Sequence, residues 1–182
     1  MQIAYSKTRE QFPLSVKKVL KKTVASTLVW AILFLIIWGV LAFASSSSTE
    51  AGSWFGIATV GILGFLFFII LIVYLYQRWY YAVYFYDLTP DYIVIKKGPI
   101  TPREITIPYE RVQDVYVVQD LLDIIFGLYD VHLSSATISS GMEAHIDGVE
   151  KPAADGLRAM LLQTVNERIS KKRVPVPPQV QQ

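Results

Sequence analysis

The sequence predicts a membrane α-helical hairpin followed by an α+β domain, a curved sheet or partly open β-barrel closed by a C-terminal helix. Three observations carry that expectation. Residues 23–44 and 55–76 are apolar runs of 22 residues each, without Lys, Arg, Asp or Glu. After Arg78 the chain changes to short aromatic and β-branched segments punctuated by Pro and Gly. Residues 152–169 then place Leu157, Leu161, Val165 and Ile169 on one helical stripe.

A helix rises about 1.5 Å per residue, so either run crosses a hydrocarbon core of about 30 Å. The intervening residues 45–54 hold one charge, Glu50, and a gap that short predicts an antiparallel hairpin. Lys7, Arg9, Lys17, Lys18, Lys21 and Lys22 precede the first run against Glu10 alone, Arg78 follows the second, and the loop has no base. The positive-inside rule then places both termini in the cytoplasm, the loop outside, and the chain in the cell membrane as a two-pass protein. A cleaved signal peptide is the rival reading, because Ala42 and Ala44 suit a cleavage site. The run is longer than the ~7–15 residues of a signal core.

Residues 1–22 read as a basic leader, amphipathic over 11–22, with Val16, Val19 and Leu20 on one face. Lys17, Lys18, Lys21 and Lys22 are candidates for anionic lipid headgroups, and the same charges serve as the topology signal. In the second run Ala58, Gly61 and Gly64 make a small-residue stripe, expected against the first helix or in a homo-oligomer. Nothing ionisable lies within either run, which removes the usual marker of an ion path. Tyr74, Tyr76, Trp79, Tyr80 and Tyr81 suit an interfacial aromatic belt.

Residues 79–170 read as one small domain. Residues 79–182 carry ten bases and thirteen acids, a net −3 that argues against nucleic acid. The absence of cysteine excludes disulfides and thiolate metal sites. Strands are expected over 80–88, 92–97, 103–107 and 112–118, a short helix over 120–126 ended by Gly127, and a hairpin over 128–135 and 142–149 turning at 138–141. Pro152 and Asp155 suit the first turn of the last helix. The basic, Pro-rich residues 171–182 read as a disordered tail.

Several residues in order resemble a known family. They are Tyr86, Asp87, Leu88 and Thr89; Asp91 to Ile95; Lys97 and Gly98; Arg103; Ile107 and Pro108; Arg111 to Val115; Gln119; and Gly127 with Leu128. Over residues 78–165 the chain looks like the bacterial pleckstrin-homology-like (PH) domain of small membrane proteins. The resemblance implies a PH-like two-sheet, partly open β-barrel capped by a C-terminal helix, and implies no catalytic residue.

The candidate sites are correspondingly non-catalytic. Arg111, Gln113 and Asp114 are a candidate partner surface, and Lys96 and Lys97 are further headgroup candidates. The first strand–strand loop, Thr89-Pro90-Asp91, lacks the bases of inositide-binding PH domains. His132 and His145 should face each other across a hairpin, weak candidates for a metal or pH-sensitive patch. Neighbouring serines lack a nucleophile elbow, and no cofactor is expected. The expected function is a non-enzymatic, membrane-anchored scaffold that contacts lipid and binds a protein, with another membrane protein of the same family as the candidate partner. The alternatives are an anionic-lipid sensor and a component of an oligomeric pore.

Overall fold

The structure is a computed structural model and describes residues 5–46, 51–135 and 144–172. The chain divides into two compact units, Val16–Ala82 on one hand and Met1–Ser15 with Val83–Gln182 on the other. The expected turn at 138–141, the centre of the 45–54 loop and the tail from 173 onward lie outside the described residues.

The first unit holds two helices, α2 (Lys17–Ser45) and α3 (Ala51–Val83). Both are long and apolar enough to cross a membrane. Their side chains meet through Phe34 and Phe65, with ring centroids 5.9 Å apart, and through Trp38, whose Nε1 donates to Thr59 Oγ1 at 3.2 Å. The expected small-residue stripe is split: Ala58 lines a pocket with Leu41 and Ala44 of α2, while a Cβ added at Gly61 or Gly64 would meet open space. Bulky side chains on the neighbouring face of α3 make the contact instead.

Helix α3 also runs further than the sequence suggests. Residues 80–83 read as strand because they are aromatic and β-branched, yet they continue the helix to Val83. An established helix gains one hydrogen bond for each residue added, and this outweighs weak β-propensity. Only Tyr84 separates α3 from β1 (Phe85–Leu88).

The second unit contains two antiparallel three-stranded sheets. The first is β1, β2 (Tyr92–Lys97) and β3 (Arg103–Pro108), in that order. The second is β4 (Val112–Val118), β5 (Leu128–Ser135) and β6 (Ala144–Glu150). A 3-10 turn, Tyr109–Arg111, joins the sheets, and the short helix α4 (Leu121–Phe126) joins β4 to β5. Gly98 takes φ 92° in the β2–β3 turn, where a Cβ would lie 2.6 Å from the Thr101 carbonyl oxygen; only glycine fits there.

Helix α5 (Lys151–Lys172) packs against the second sheet and the 3-10 turn. Leu157 and Leu161 are fully buried and Val165 nearly so, while Ile169 at the end of the stripe is 37% exposed. Fully burying one such aliphatic side chain contributes about 1.5–3 kcal/mol, so this stripe is the main attachment of α5. Near its C-terminus Arg168 pairs with Asp91 at 2.9 Å and donates to the Pro90 carbonyl.

The leader differs most from expectation. It is not one amphipathic helix. Helix α1 (Lys7–Gln11) ends before Pro13, residues 6–15 fold onto the sheets, and α2 starts separately at Lys17. Proline has no amide proton and clashes with the preceding turn, so a helix through residue 13 is disfavoured.

Candidate interaction surface

The domain's sheet edges are the natural places for a partner strand to add. Residues 6–15 already occupy two of them. On β1, Ser6 Oγ lies 2.7 Å from the Tyr86 carbonyl oxygen and 2.8 Å from Asp87 Oδ1. Thr8 Oγ1 donates to Asp87 Oδ1 at 2.9 Å and accepts from Leu88 N at 3.1 Å. These hydroxyls take the place of a neighbouring strand's backbone groups. The Tyr86 hydroxyl donates to the Phe12 carbonyl. On β6, Leu14 bridges to Val149, and Ser15 N donates to the Gly148 carbonyl at 2.9 Å. The Phe12 ring lies where a side chain at Gly156 of α5 would be, so that glycine makes room for it.

The junction residue is equally fixed. Tyr84 is fully buried, and its hydroxyl donates to the His145 carbonyl at 3.0 Å. Lys97 Nζ stands 5.7 Å from the centre of the Tyr84 ring, and Lys96 pairs with Glu104 at 3.1 Å. Both lysines proposed for headgroups thus have partners within the domain. Of the four leader lysines, Lys17 is exposed and Lys22 half-buried, while Lys18 and Lys21 are 3% and 5% exposed. The set is therefore not one uniform exposed patch.

Arg111, Gln113 and Asp114 are all exposed. Gln113 is the extra residue of a bulge in the β4–β5 register, and Asp114 Oδ2 accepts weakly from Ser134 Oγ at 3.5 Å. A bulge twists an edge strand and discourages indiscriminate pairing.

His132 and His145 are register partners, as their positions predict, and their rings stack 5.2 Å apart at 19°. Tyr116 continues the stack on His132 at 5.2 Å and 14°. Imidazole lone pairs lie in the ring plane, so near-parallel rings aim them side by side. The arrangement is a cross-strand aromatic ladder.

Sequence reasoning missed a carboxylate group and the knob beside it. Oxygens of Asp120, Asp123 and Asp130 lie within 4.8 Å of one another. Each has a place in the fold. Asp120 and Asp123 form a reciprocal capping box on α4, and Asp130 Oδ1 accepts from Gly148 N at 2.8 Å. The box signal, Asp120 three residues before Asp123, was present in the sequence. Beside it Leu121, Ile124 and Ile125 are 82%, 62% and 73% exposed.

Elsewhere on the domain, a shallow groove of about 380 Å³ runs over the outer face of the first sheet beside Tyr5, floored by Asp87, Val94 and Thr106. Tyr5 donates to Glu10 at 2.6 Å, and that hydrogen bond to a carboxylate raises the phenol's pKa. Tyr109, in the 3-10 turn, donates to the Thr89 carbonyl at 2.8 Å; burial, and then the charge of Asp87, push its pKa up to about 12.

A family model described as bacterial PH domain matches residues 12–165 of the chain, from Phe12 through both long helices to Val165. No curated protein and no solved structure matches it.

Proposed function

The chain belongs to the bacterial PH domain family, and from that premise we propose that it is a non-enzymatic, membrane-anchored interaction module. In this reading α2 and α3 span the cell membrane with both termini in the cytoplasm. The PH-like domain, a partly open barrel, presents its surface to a protein partner in or beside the bilayer. One observation carries the reading: a single buried residue, Tyr84, links a membrane-length apolar helix to the first strand of the domain. A tether that short raises the local concentration of the domain toward membrane-bound partners. Anchoring is thus covalent, and the surface of the domain is left for protein recognition.

The test is site-specific crosslinking in native membranes, combined with labelling of single cysteines introduced on either side of the hairpin. The reading expects residues 45–54 to label from outside, the domain to label only after permeabilisation, and defined protein adducts to form on the domain. Labelling of the domain from outside, or adducts to lipid alone, contradicts it.

A further inference from the structure

The groove on the outer face of the first sheet has the lining that extended, proline-rich segments use. Three aromatic residues, Tyr5, Phe85 and Tyr92, line it. Tyr5 and Tyr92 are 70% and 41% exposed, and Phe85 is half-buried. Lys96, 6.0 Å from the centre of the Phe85 ring and 3.1 Å from Glu104, forms the far end. From the level of Tyr92 to that of Lys96 is four residues of β2, about 13 Å. Aromatic-lined grooves take polyproline helices, because flat rings pack against proline rings and the ligand arrives already ordered.

The chain carries such a segment and delivers it to the Tyr92 end of the groove. Arg168, in the last turns of α5, pairs with Asp91 at 2.9 Å and donates to the Pro90 carbonyl. Asp91 adjoins Tyr92, and Thr89, on the other side of Pro90, also lines the groove. Helix α5 ends at Lys172, about one turn beyond Arg168. The sequence then runs Arg173, Val174, Pro175, Val176, Pro177, Pro178. Each of residues 174–178 is a proline or precedes one, so each is biased to extended, polyproline-type dihedrals. Five such residues span about 15 Å, which matches the groove. Three residues per turn put Pro175 and Pro178 on one ridge, about 9 Å apart. So restricted a segment loses little conformational freedom when it docks.

We infer that residues 174–178 dock in this groove of their own chain, with Pro175 toward Tyr92 and Pro178 toward Phe85. The groove is then a site for extended, proline-rich peptide, and the chain's own tail is its occupant. The short tether from α5 keeps the tail at high local concentration, so a weak contact suffices. The docking needs only the domain and α5, so it is independent of how α2 and α3 meet a membrane.

A photo-crosslinking phenylalanine analogue in place of Tyr92, in the full chain in native membranes, tests it. The expected product has the mass of a single chain and joins position 92 to residues 174–178. Pro175→Ala combined with Pro178→Ala keeps the tether and removes both rings. That variant should lower the yield about tenfold, the loss expected when two rings give up their apolar contact. Trypsin should cut after Arg173 faster in the same variant and in Tyr92→Ala, with the unfolding temperature of the tail variant unchanged. Equal yields from the native chain and the proline variant mean a tethered collision only, and overturn the inference. No adduct, or a dimer-sized adduct to the tail of a second copy, overturns it as well. An adduct to another protein alone overturns it and leaves the interaction-module reading standing.

Discussion

Helices α1 and α4 are both about one and a half turns long, both lie outside the sheets, and they are used in opposite ways. The two hydroxyls at the start of α1 are turned inward, while Lys7, Glu10 and Gln11 are exposed. Ser6 and Thr8 are 5% exposed and bonded to β1, and the chain after α1 buries Leu14 at 4% exposure. In α4 the one polar residue, Asp123, is fully buried in the capping box, Leu122 and Phe126 are half-buried, and Leu121, Ile124 and Ile125 are turned out. The contrast shows that one segment is attached through its hydroxyls to edges that would otherwise pair with a foreign strand. The other is stabilised locally so that its aliphatic side chains stay available.

The largest effect should come from the attachment of α1. Asp87→Ala removes the acceptor shared by Ser6 Oγ and Thr8 Oγ1. Two buried hydroxyls then lose a charged partner, and we expect a loss of about 1–3 kcal/mol. Denaturant unfolding of the full chain in detergent measures it, and cleavage near Lys7 and Arg9 by a trypsin-like protease should accelerate in parallel.

Gly156→Leu comes next. The new side chain collides with the Phe12 ring. Overpacking of this kind costs about 1–3 kcal/mol, offset in part by the ~1 kcal/mol that leaving glycine gains within a helix. Unchanged protease resistance of residues 6–15 would show that the ring is not held there.

On the α4 side, Gly127→Ala should cost about 1 kcal/mol, because an L side chain at φ 66° is strained. Leu121→Ser should change stability by less than about 0.5 kcal/mol. A large loss of stability there would mean that the outward side chains of α4 support the fold.

The last effect is alkaline. The Tyr109 pKa is raised to about 12 by burial and Asp87. The phenol is neutral in both states below pH 10, so its contribution to stability is intact there. Between pH 10 and 12 the unfolded chain ionises first, and stability falls. The pH profile of Tyr109→Phe, compared with the native chain, should lack that component of the fall.

How much of this was legible in the sequence follows from how local each feature is. The apolar runs, β2 and the α5 stripe are written in adjacent residues, and periodicity finds them. The pairing of His132 with His145 also followed from strand alternation about a hairpin. The attachment of residues 6–15 did not, since Ser6 and Thr8 find Tyr86 and Asp87 about eighty residues away. Lys17 to Lys22 look equivalent as a string, but the fold gives each a different exposure. The continuation of α3 to Val83 was hidden because Trp79, Tyr80 and Tyr81 favour strands in isolation. The capping box of α4 was readable, while the outward turn of Leu121, Ile124 and Ile125 depends on Asp123 being anchored beneath them.

The comparison of the two short helices is tested most directly by placing the same photo-crosslinker at position 12 in one sample and at position 125 in another, both in native membranes. The account predicts crosslinking within the chain from position 12, with no change in mass class, and no crosslink to a distant segment of its own chain from position 125. An intermolecular adduct from position 12, or a crosslink from position 125 to a distant segment of the same chain, would contradict it.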